Sequence, residues 1–193
     1  MNLREIIARY DINGHEKDGG TDKDTFHSYI EMYEGFLAPL VDKPAVVAEI
    51  GIQYGGSMLL WQDYLPLAKF IYLDNVDIIH DKIRQHLDLK RSKLLFEDAY
   101  TEEAVAKVKK LAPKGIDLII DDGPHTLESQ CQFLSLYLPL LADNGTAVIE
   151  DVQSTDWIAS LEQRVPKGYS FETIDLRGVK GRYDDLVFTV VKQ

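Results

Sequence analysis

The chain has 193 residues, of which 45% are hydrophobic and 27% are charged. This size and composition are typical of a soluble globular protein of one domain with a sizeable core. The formal net charge of −11 argues against a nucleic-acid partner, because a protein that binds a phosphate backbone usually carries a basic patch.

Cysteine content and hydropathy bear on the compartment. The single cysteine, Cys131, excludes a disulfide within the chain and is consistent with a reducing environment. The first residues contain no apolar stretch of a signal peptide, and no segment approaches the ~18 apolar residues of a membrane span. We therefore expect a cytoplasmic protein without a membrane partner.

The first 40 residues predict two short helices separated by a polar, glycine-containing loop. Apolar residues recur at helical spacing over residues 2–10. His15 lies in the loop, where we expect it to be solvated. The second helix carries an apolar face with aromatic residues, namely Tyr29, Met32, Tyr33, Phe36 and Leu37. We expect residues 1–40 to form a helical cap ahead of one globular domain over residues 41–193.

From residue 46 onward, apolar strands alternate with helices, a pattern that predicts a Rossmann-like α/β fold. The first five predicted strands cover residues 46–48, 70–73, 93–96, 116–120 and 146–149. The predicted helices cover residues 58–64, 77–89, 101–111, 127–141 and 155–164. Two final strands, at 170–176 and 186–191, are joined by a loop too short for a crossover helix, so they must be antiparallel neighbours.

The turn after the first strand has the motif Glu49-x-Gly51-x-x-x-Gly55-Gly56-Ser57. It lacks the G-x-G-x-x-G spacing that brings a pyrophosphate against a helix, which counts against NAD and FAD. A looser glycine turn still allows the backbone to approach a bulky ligand.

Two aspartates end the next two strands. Asp74 could accept hydrogen bonds from both ribose hydroxyls of a nucleoside, and Asp98 could accept one from an adenine amino group. Each residue alone is weak evidence, because Asp commonly ends strands. Together, and in this order, they fit a nucleoside without a diphosphate.

A second cluster follows the fourth and fifth strands. Asp121-Asp122-Gly123-Pro124-His125 comes after the fourth strand, and Glu150-Asp151 comes after the fifth. Ligands of open α/β sheets lie beyond these strand ends, although the aspartates could instead cap the next helix and leave His125 in solvent. Carboxylates that converge here would repel one another unless a cation or protons compensate them. Their oxygens suit Mg²⁺ or Mn²⁺.

These motifs resemble class I S-adenosylmethionine (SAM)-dependent methyltransferases. The two acidic clusters, and the segment Thr21-Asp22-Lys23-x-x-x-His27-x-Tyr29, further resemble the macrocin/mycinamicin sugar O-methyltransferases and the cephalosporin-hydroxylase-like group. Pro124 stands where those proteins have Ser. The resemblance covers residues 20–191 and implies a seven-stranded, mostly parallel sheet of order 3-2-1-4-5-7-6, with the last inserted strand antiparallel and helices on both faces.

The resemblance also implies roles for individual residues. Asp122, Glu150 and Asp151 would be the ligands of Mg²⁺ or Mn²⁺, and His125 would be the general base; between the adjacent aspartates we favour Asp122 as the ligand. The residues expected to bind SAM are Lys23, His27, Glu49, Gly51, Tyr54, Gly55, Ser57, Asp74, Asp98 and Asp121.

The function implied is SAM- and metal-dependent O-methylation of a hydroxyl on a sugar or a glycosylated small molecule. A phenolic or catechol-type O-methyltransferase and a non-catalytic SAM- or nucleoside-binding module remain alternatives. A hydroxylase would need a redox centre, and the sequence shows no 2-His-1-carboxylate set. The apolar N-terminal helix could form an interface in a homo-oligomer.

Overall fold

The apolar runs after residue 45 form one seven-stranded sheet in a computed structural model, which describes residues 1–14 and 16–193. The prediction for His15 therefore lies outside the described residues. The strands are β1 (Val46–Ile50), β2 (Lys69–Asp74), β3 (Ser92–Phe96), β4 (Ile116–Asp121), β5 (Leu141–Ile149), β6 (Tyr169–Asp175) and β7 (Leu186–Lys192). Their order is β3-β2-β1-β4-β5-β7-β6. β1 to β5 are parallel, and β7 is antiparallel to both β5 and β6, which confirms the predicted topology.

Helices cover both faces of the sheet. They are α1 (Leu3–Tyr10), α2 (Ile30–Leu37), α3 (Gly56–Tyr64), α4 (Asp81–Arg84), α5 (Glu102–Leu111), α6 (Leu127–Tyr137), α7 (Ile158–Glu162) and α8 (Arg177–Lys180). Local capping explains several starts. Asn2 and Glu5 form a capping box at α1, and the Thr126 side chain accepts the Ser129 amide at α6. Within the described residues, no helix is long and apolar enough to cross a membrane.

The helix predicted over residues 77–89 is much shorter, because α4 covers only Asp81–Arg84. A side chain from α3 accounts for the early end. The Gln62 amide donates to the His86 carbonyl and accepts from the Asp88 amide, so these two backbone groups bond outside a helix. The periodicity of residues 77–89 contains no sign of this long-range partner.

Other element boundaries also differ from the predictions. Helix α6 ends at Tyr137 and is followed by a 3₁₀ turn that contains Pro139, which has no amide hydrogen to continue the helix. β5 then begins at Leu141, five residues early, and the pairing of β4 with β5 shifts register between Ile116 and Leu118. The predicted helix at 155–164 is a 3₁₀ turn followed by α7, and the loop at 177–185 contains α8.

The sheet separates two hydrophobic cores, because successive strand residues point to opposite faces. Val47 belongs to the core that also holds residues of α1, α2 and α3, and Ala48 belongs to the core under α5, α6 and α7. The Tyr33 and Trp61 rings meet in the first core, with centroids 4.8 Å apart. The N-terminal helices therefore share a core with the sheet.

Candidate active site

The carboxyl ends of β1, β4 and β5 bring the predicted acidic residues to one edge. Ile50 is paired with Asp121, and Asp121 with Ile149, so the residues that follow these strands are neighbours. The Asp122 amide donates to the Ile50 carbonyl, and the Glu150 amide donates to the Asp121 carbonyl. Parallel pairing thus continues one residue past the strands and fixes both acidic pairs side by side.

Gly51 allows the chain to turn at this edge. Its φ is +83°, a conformation that L side chains rarely adopt, and a Cβ built there would collide with the Asp122 carbonyl. Glycine at this position therefore lets the turn after β1 lie directly against the turn after β4.

Backbone conformation also marks the site. Among the described residues, five non-glycine residues have positive φ, and three of them are Gln53, His125 and Asp151. Such conformations are costly for most side chains and persist where the surrounding structure imposes them. His125 and Asp151 are thereby turned toward each other. The His125 Nε2 lies 3.7 Å from both Asp122 Oδ1 and Asp151 Oδ2.

A large cavity of about 630 Å³ opens beside this edge, a volume within the usual range for a small-molecule site. Gly51, Asp74, Asp98 and Asp122 are among its lining residues. Asp74 Oδ2 also accepts the amides of Ile52 and Gln53, at 3.0 and 2.9 Å. Asp74 therefore holds the glycine turn in place and faces the cavity.

A second, small cavity of about 70 Å³ adjoins the large one, since Gly51, Gln53 and Asp122 line both. Five predicted site residues line only the small cavity, namely Lys23, Tyr54, Ser57, His125 and Asp151, and Gly20 and Thr21 line it as well. The pair of cavities resembles a cofactor cleft that leads to a confined reaction point.

Lys23 lies inside the acidic cluster and is 1% exposed. Its Nζ is 2.8 Å from Asp122 Oδ2 and 2.6 Å from Glu150 Oε2. Burial lowers the pKa of Lys23, but attraction to Asp122, Glu150 and Glu49 outweighs it and leaves the pKa well above its ordinary value. The ammonium is therefore charged.

Aromatic hydroxyls and an imidazole hold the other oxygens of the acidic pair. The Tyr33 hydroxyl donates to Glu150 Oε1. The Tyr29 hydroxyl donates to Asp151 Oδ1 at 2.5 Å, and His27 Nδ1 lies 3.3 Å from the same oxygen. Three residues that precede β1 thus hold Glu150 and Asp151 in place.

The acids of the cluster disfavour ionisation of one another. Burial raises the pKa of Glu150 well above its ordinary value, and the charge of Asp122 raises it further. The pKa of Asp151 is raised by burial and then by Asp122. Asp122, His125 and Asp151 each offer one atom that could bind a metal ion, and these three atoms lie within 4.8 Å of one another. This donor chemistry fits a hard divalent cation such as Mg²⁺ or Mn²⁺.

The structure separates the two adjacent aspartates. Asp122 lines both cavities, whereas Asp121 is 2% exposed and accepts a hydrogen bond from the Tyr100 hydroxyl at 2.5 Å. Burial raises the pKa of Asp121 to about 7. Asp122 is therefore the member of the pair that is placed to meet a ligand.

Glu49, His27 and Gly55 lie away from both cavities. Glu49 is fully buried, and its Oε2 accepts hydrogen bonds from Ser57 at 2.8 Å and Trp61 at 2.9 Å. Burial raises the pKa of Glu49 to about 7. His27 Nδ1 lies 2.7 Å from the buried Asp185, and Gly55 caps α3. These three residues stabilise the turn and the acidic cluster without lining a cavity.

Several contacts were not predicted from the sequence. Tyr33 was assigned to a helix core, yet its hydroxyl reaches Glu150. Tyr100 bonds Asp121, and Asp185 pairs with His27 across 158 positions of the chain. Two adjacent acids directly before the apolar strand β7 were a usable signal for Asp185. The two tyrosines offered none, because a tyrosine at helical spacing predicts core packing.

The sequence of the chain is similar to those of known proteins. A family model described as a methyltransferase domain matches residues 48–152, more than half of the chain. A relative from Streptomyces olivaceus, 8-demethyl-8-alpha-L-rhamnosyl tetracenomycin-C 2'-O-methyltransferase, is 29% identical over 147 residues. That match covers 72% of this chain and 37% of the relative, so the chain spans little more than a third of that protein.

Solved structures share the fold. The chain is similar to MycE methyltransferase from the mycinamycin biosynthetic pathway in complex with Mg, SAH and mycinamycin VI, with a TM-score of 0.65 and 24% identity. The similarity covers 82% of this chain and 39% of MycE. An O-methyltransferase from Bacillus cereus in complex with SAH has a TM-score of 0.68 and 14% identity, over 98% of this chain and 90% of that one.

Proposed function

Because this chain belongs to the methyltransferase-domain family, we propose that it is a SAM- and divalent-metal-dependent O-methyltransferase acting on a hydroxyl of a sugar or a glycosylated small molecule. One observation carries the proposal. His125 lines the small cavity, and its Nε2 lies 3.7 Å from Asp151 and from Asp122, which lines both cavities. A base beside a cation site, at the mouth of a nucleoside-sized cleft, suits the activation of a hydroxyl.

The large cavity is the proposed SAM site. Asp74 and Asp98 line it at the ends of β2 and β3, where they could accept hydrogen bonds from the ribose hydroxyls and the adenine amino group. Gly51 lies between this region and the acidic edge.

Asp122, Glu150 and Asp151 are the proposed holders of the divalent ion. Glu150 is the most buried of the three, with a side chain 2% exposed against 23% for Asp122 and 13% for Asp151. The two more exposed carboxylates therefore offer the oxygens that face an acceptor. When bound, the ion would compensate the acids and lower the pKa of the acceptor hydroxyl, and SAM would supply the methyl group.

His125 is the proposed general base. Its side chain is 28% exposed, so an acceptor hydroxyl can reach Nε2 from the cavity. Nε2 would take the hydroxyl proton, and bound SAM would supply the methyl group, with its sulfur–carbon bond breaking and S-adenosylhomocysteine leaving. Asp122 and Asp151 then stabilise the imidazolium that forms, because each places an oxygen 3.7 Å from the same nitrogen. The confined site also orients the two reactants.

The acceptor class is the part of the proposal that needs a direct test. The tetracenomycin relative is named for 2'-O-methylation of a rhamnosyl compound, and MycE was solved with mycinamycin VI. Purified protein should be incubated with labelled SAM, Mg²⁺ and a panel of rhamnosyl and other glycosides, with catechol and caffeate derivatives as the competing set. Methylated glycosides are the expected product.

The panel also separates the alternatives. Methylation of catechols alone would replace the sugar assignment with the phenolic one. Binding of S-adenosylhomocysteine by calorimetry without transfer to any acceptor would favour a non-catalytic binding module.

A further inference from the structure

A buried lysine occupies the centre of the acidic cluster, and the proposed reaction gives it no part. We propose that Lys23 is a positioning residue. It is a fixed internal cation that holds Asp122 and Glu150 in place, and it leaves Asp122 Oδ1 and Asp151 Oδ2 for the divalent ion. The role of Lys23 toward the ion rests on the proposed function, whereas its hold on Asp122 and Glu150 rests on contacts alone.

The contacts of Lys23 are those of a structural cation. Its Nζ lies 2.8 Å from Asp122 Oδ2, 2.6 Å from Glu150 Oε2 and 3.9 Å from Glu49 Oε1. Among the described residues, no hydrogen-bond donor reaches that Glu49 oxygen, so the Lys23 charge is its nearest compensation. The ammonium also lies 5.8 Å from the centroid of the Tyr33 ring.

Burial makes the charge of Lys23 indispensable to these acids. Lys23 is 1% exposed, Glu150 is 1% exposed and Glu49 is fully buried. Carboxylates taken out of water need a partner charge, and removal of one member of a buried pair leaves the other uncompensated. The segment that carries Lys23 also passes close to α3, since a Cβ on Gly56 would collide with the Gly20 carbonyl.

The arrangement divides the carboxylate oxygens between two cations. Lys23 contacts Asp122 Oδ2 and Glu150 Oε2, and Tyr33 donates to Glu150 Oε1, so Glu150 would hold the divalent ion only through the second lone pair of one of these oxygens. Asp122 Oδ1 and Asp151 Oδ2 remain on the side of His125. Lys23 therefore orients the outer oxygens toward the divalent site. Its positive charge has the opposite effect on affinity, because it repels the divalent ion.

The test compares Lys23→Met with the wild type and with Lys17→Met, a change at an exposed lysine of the same segment. Metal-free Lys23→Met should melt about 10 °C below the wild type, because a buried ion pair loses one partner. Its affinity for Mn²⁺ by calorimetry should rise at least ~10-fold, because the loss of a nearby positive charge outweighs the looser hold on Asp122, which alone would weaken binding. Lys17→Met should change neither quantity.

Two results would overturn the proposal. One is a metal-free melting temperature of Lys23→Met equal to that of the wild type, and the other is an unchanged or weaker affinity for Mn²⁺ beside a wild type that binds the ion. If no variant binds Mn²⁺, the proposed metal site fails, and the metal-free melting comparison alone decides whether Lys23 holds the acids.

A double variant covers the case in which Lys23→Met does not fold. Lys23→Met/Glu150→Gln removes both charges of the pair, so it should be soluble and should lose less melting temperature than the sum of the single changes. A double variant as unstable as that sum, or insoluble beside a soluble Glu150→Gln, would overturn the role of Lys23 as counter-charge.

Discussion

Individual residues at the sheet edge differ in burial, and their burial determines whether they can contact a ligand. Asp122 and His125 keep part of their side chains exposed beside the cavities, whereas Asp121 and Glu49 lie beneath them. The exposed pair can meet an acceptor. The buried pair can only shape the turn and its charge, so substitutions at the two kinds of position should have different consequences.

His125→Asn tests the proposed base. Asn tolerates the left-handed backbone that His125 adopts, at φ +52°, so the turn should survive the change. Methyl transfer should fall at least ~100-fold because no group takes the hydroxyl proton. Binding of S-adenosylhomocysteine, measured by calorimetry, should stay near the wild-type value. Unchanged turnover would remove His125 from this role.

Asp74→Ala tests the cofactor site. The change removes a carboxylate that lines the large cavity and accepts the amides of Ile52 and Gln53. Affinity for S-adenosylhomocysteine should fall about 10-fold or more, since both the contact and the turn are affected. Asp42→Ala, at an exposed aspartate that lines neither cavity, is the control. Equal affinities in the two variants would argue against a ribose contact.

Glu49→Gln tests the buried acid through pH. Burial raises the pKa of Glu49 from 4.5 to about 7 in the folded protein. The folded state therefore binds more protons than the unfolded state between those values, and the Glu49 contribution to stability decreases as pH rises through that window. The variant should gain on the order of 3 kcal/mol relative to the wild type between pH 4 and pH 8. Denaturant unfolding at both pH values measures this, and a constant difference between the proteins would contradict it.

Among the elements, the segment before β1 contributes more to the site than its length indicates. Lys23, His27, Tyr29 and Tyr33 each contact an acid that follows β4 or β5. The same segment packs α1 and α2 into the core with α3. The site is thus assembled from the sheet edge on one side and the N-terminal segment on the other.

Gly56→Ala tests this assembly. A Cβ at the first residue of α3 would collide with the Gly20 carbonyl, which belongs to backbone and cannot rotate away. The change should cost about 1–3 kcal/mol of unfolding free energy. Gly35→Ala is the matched control, because no described atom lies within 4 Å of its added Cβ, and alanine should stabilise the interior of α2 by about 0.5–1 kcal/mol. A Gly56→Ala protein as stable as the control would show that the segment can move away from α3.

At the scale of the whole molecule, sequence patterns were sufficient for the sheet and insufficient for the layout around the acids. Apolar runs and strand-end acids identified β1 to β5 and the convergence of Asp122 with Asp151, because these depend on local periodicity and on parallel pairing. The Lys23 contacts cross 99 and 127 positions of the chain. Such contacts depend on tertiary packing that no local pattern encodes.

The chain covers different shares of its relatives. The match spans 37% of the tetracenomycin relative, whereas the chain spans 90% of the Bacillus cereus O-methyltransferase of the same fold. The region that the family model matches, residues 48–152, includes the strand-end acids of the proposed cofactor cleft and of the acidic cluster. We expect residues that select an acceptor in the loops around Gln153 and Tyr183, whose side chains hydrogen-bond to each other at 2.8 Å.

The most direct test is the metal dependence of methyl transfer from labelled SAM to a glycoside acceptor by the wild-type protein. We predict transfer in Mg²⁺, loss of transfer in EDTA and recovery when Mg²⁺ is restored, with binding of S-adenosylhomocysteine retained throughout. Full transfer in EDTA would contradict the account, because Asp122, Glu150 and Asp151 would then have no ion to hold.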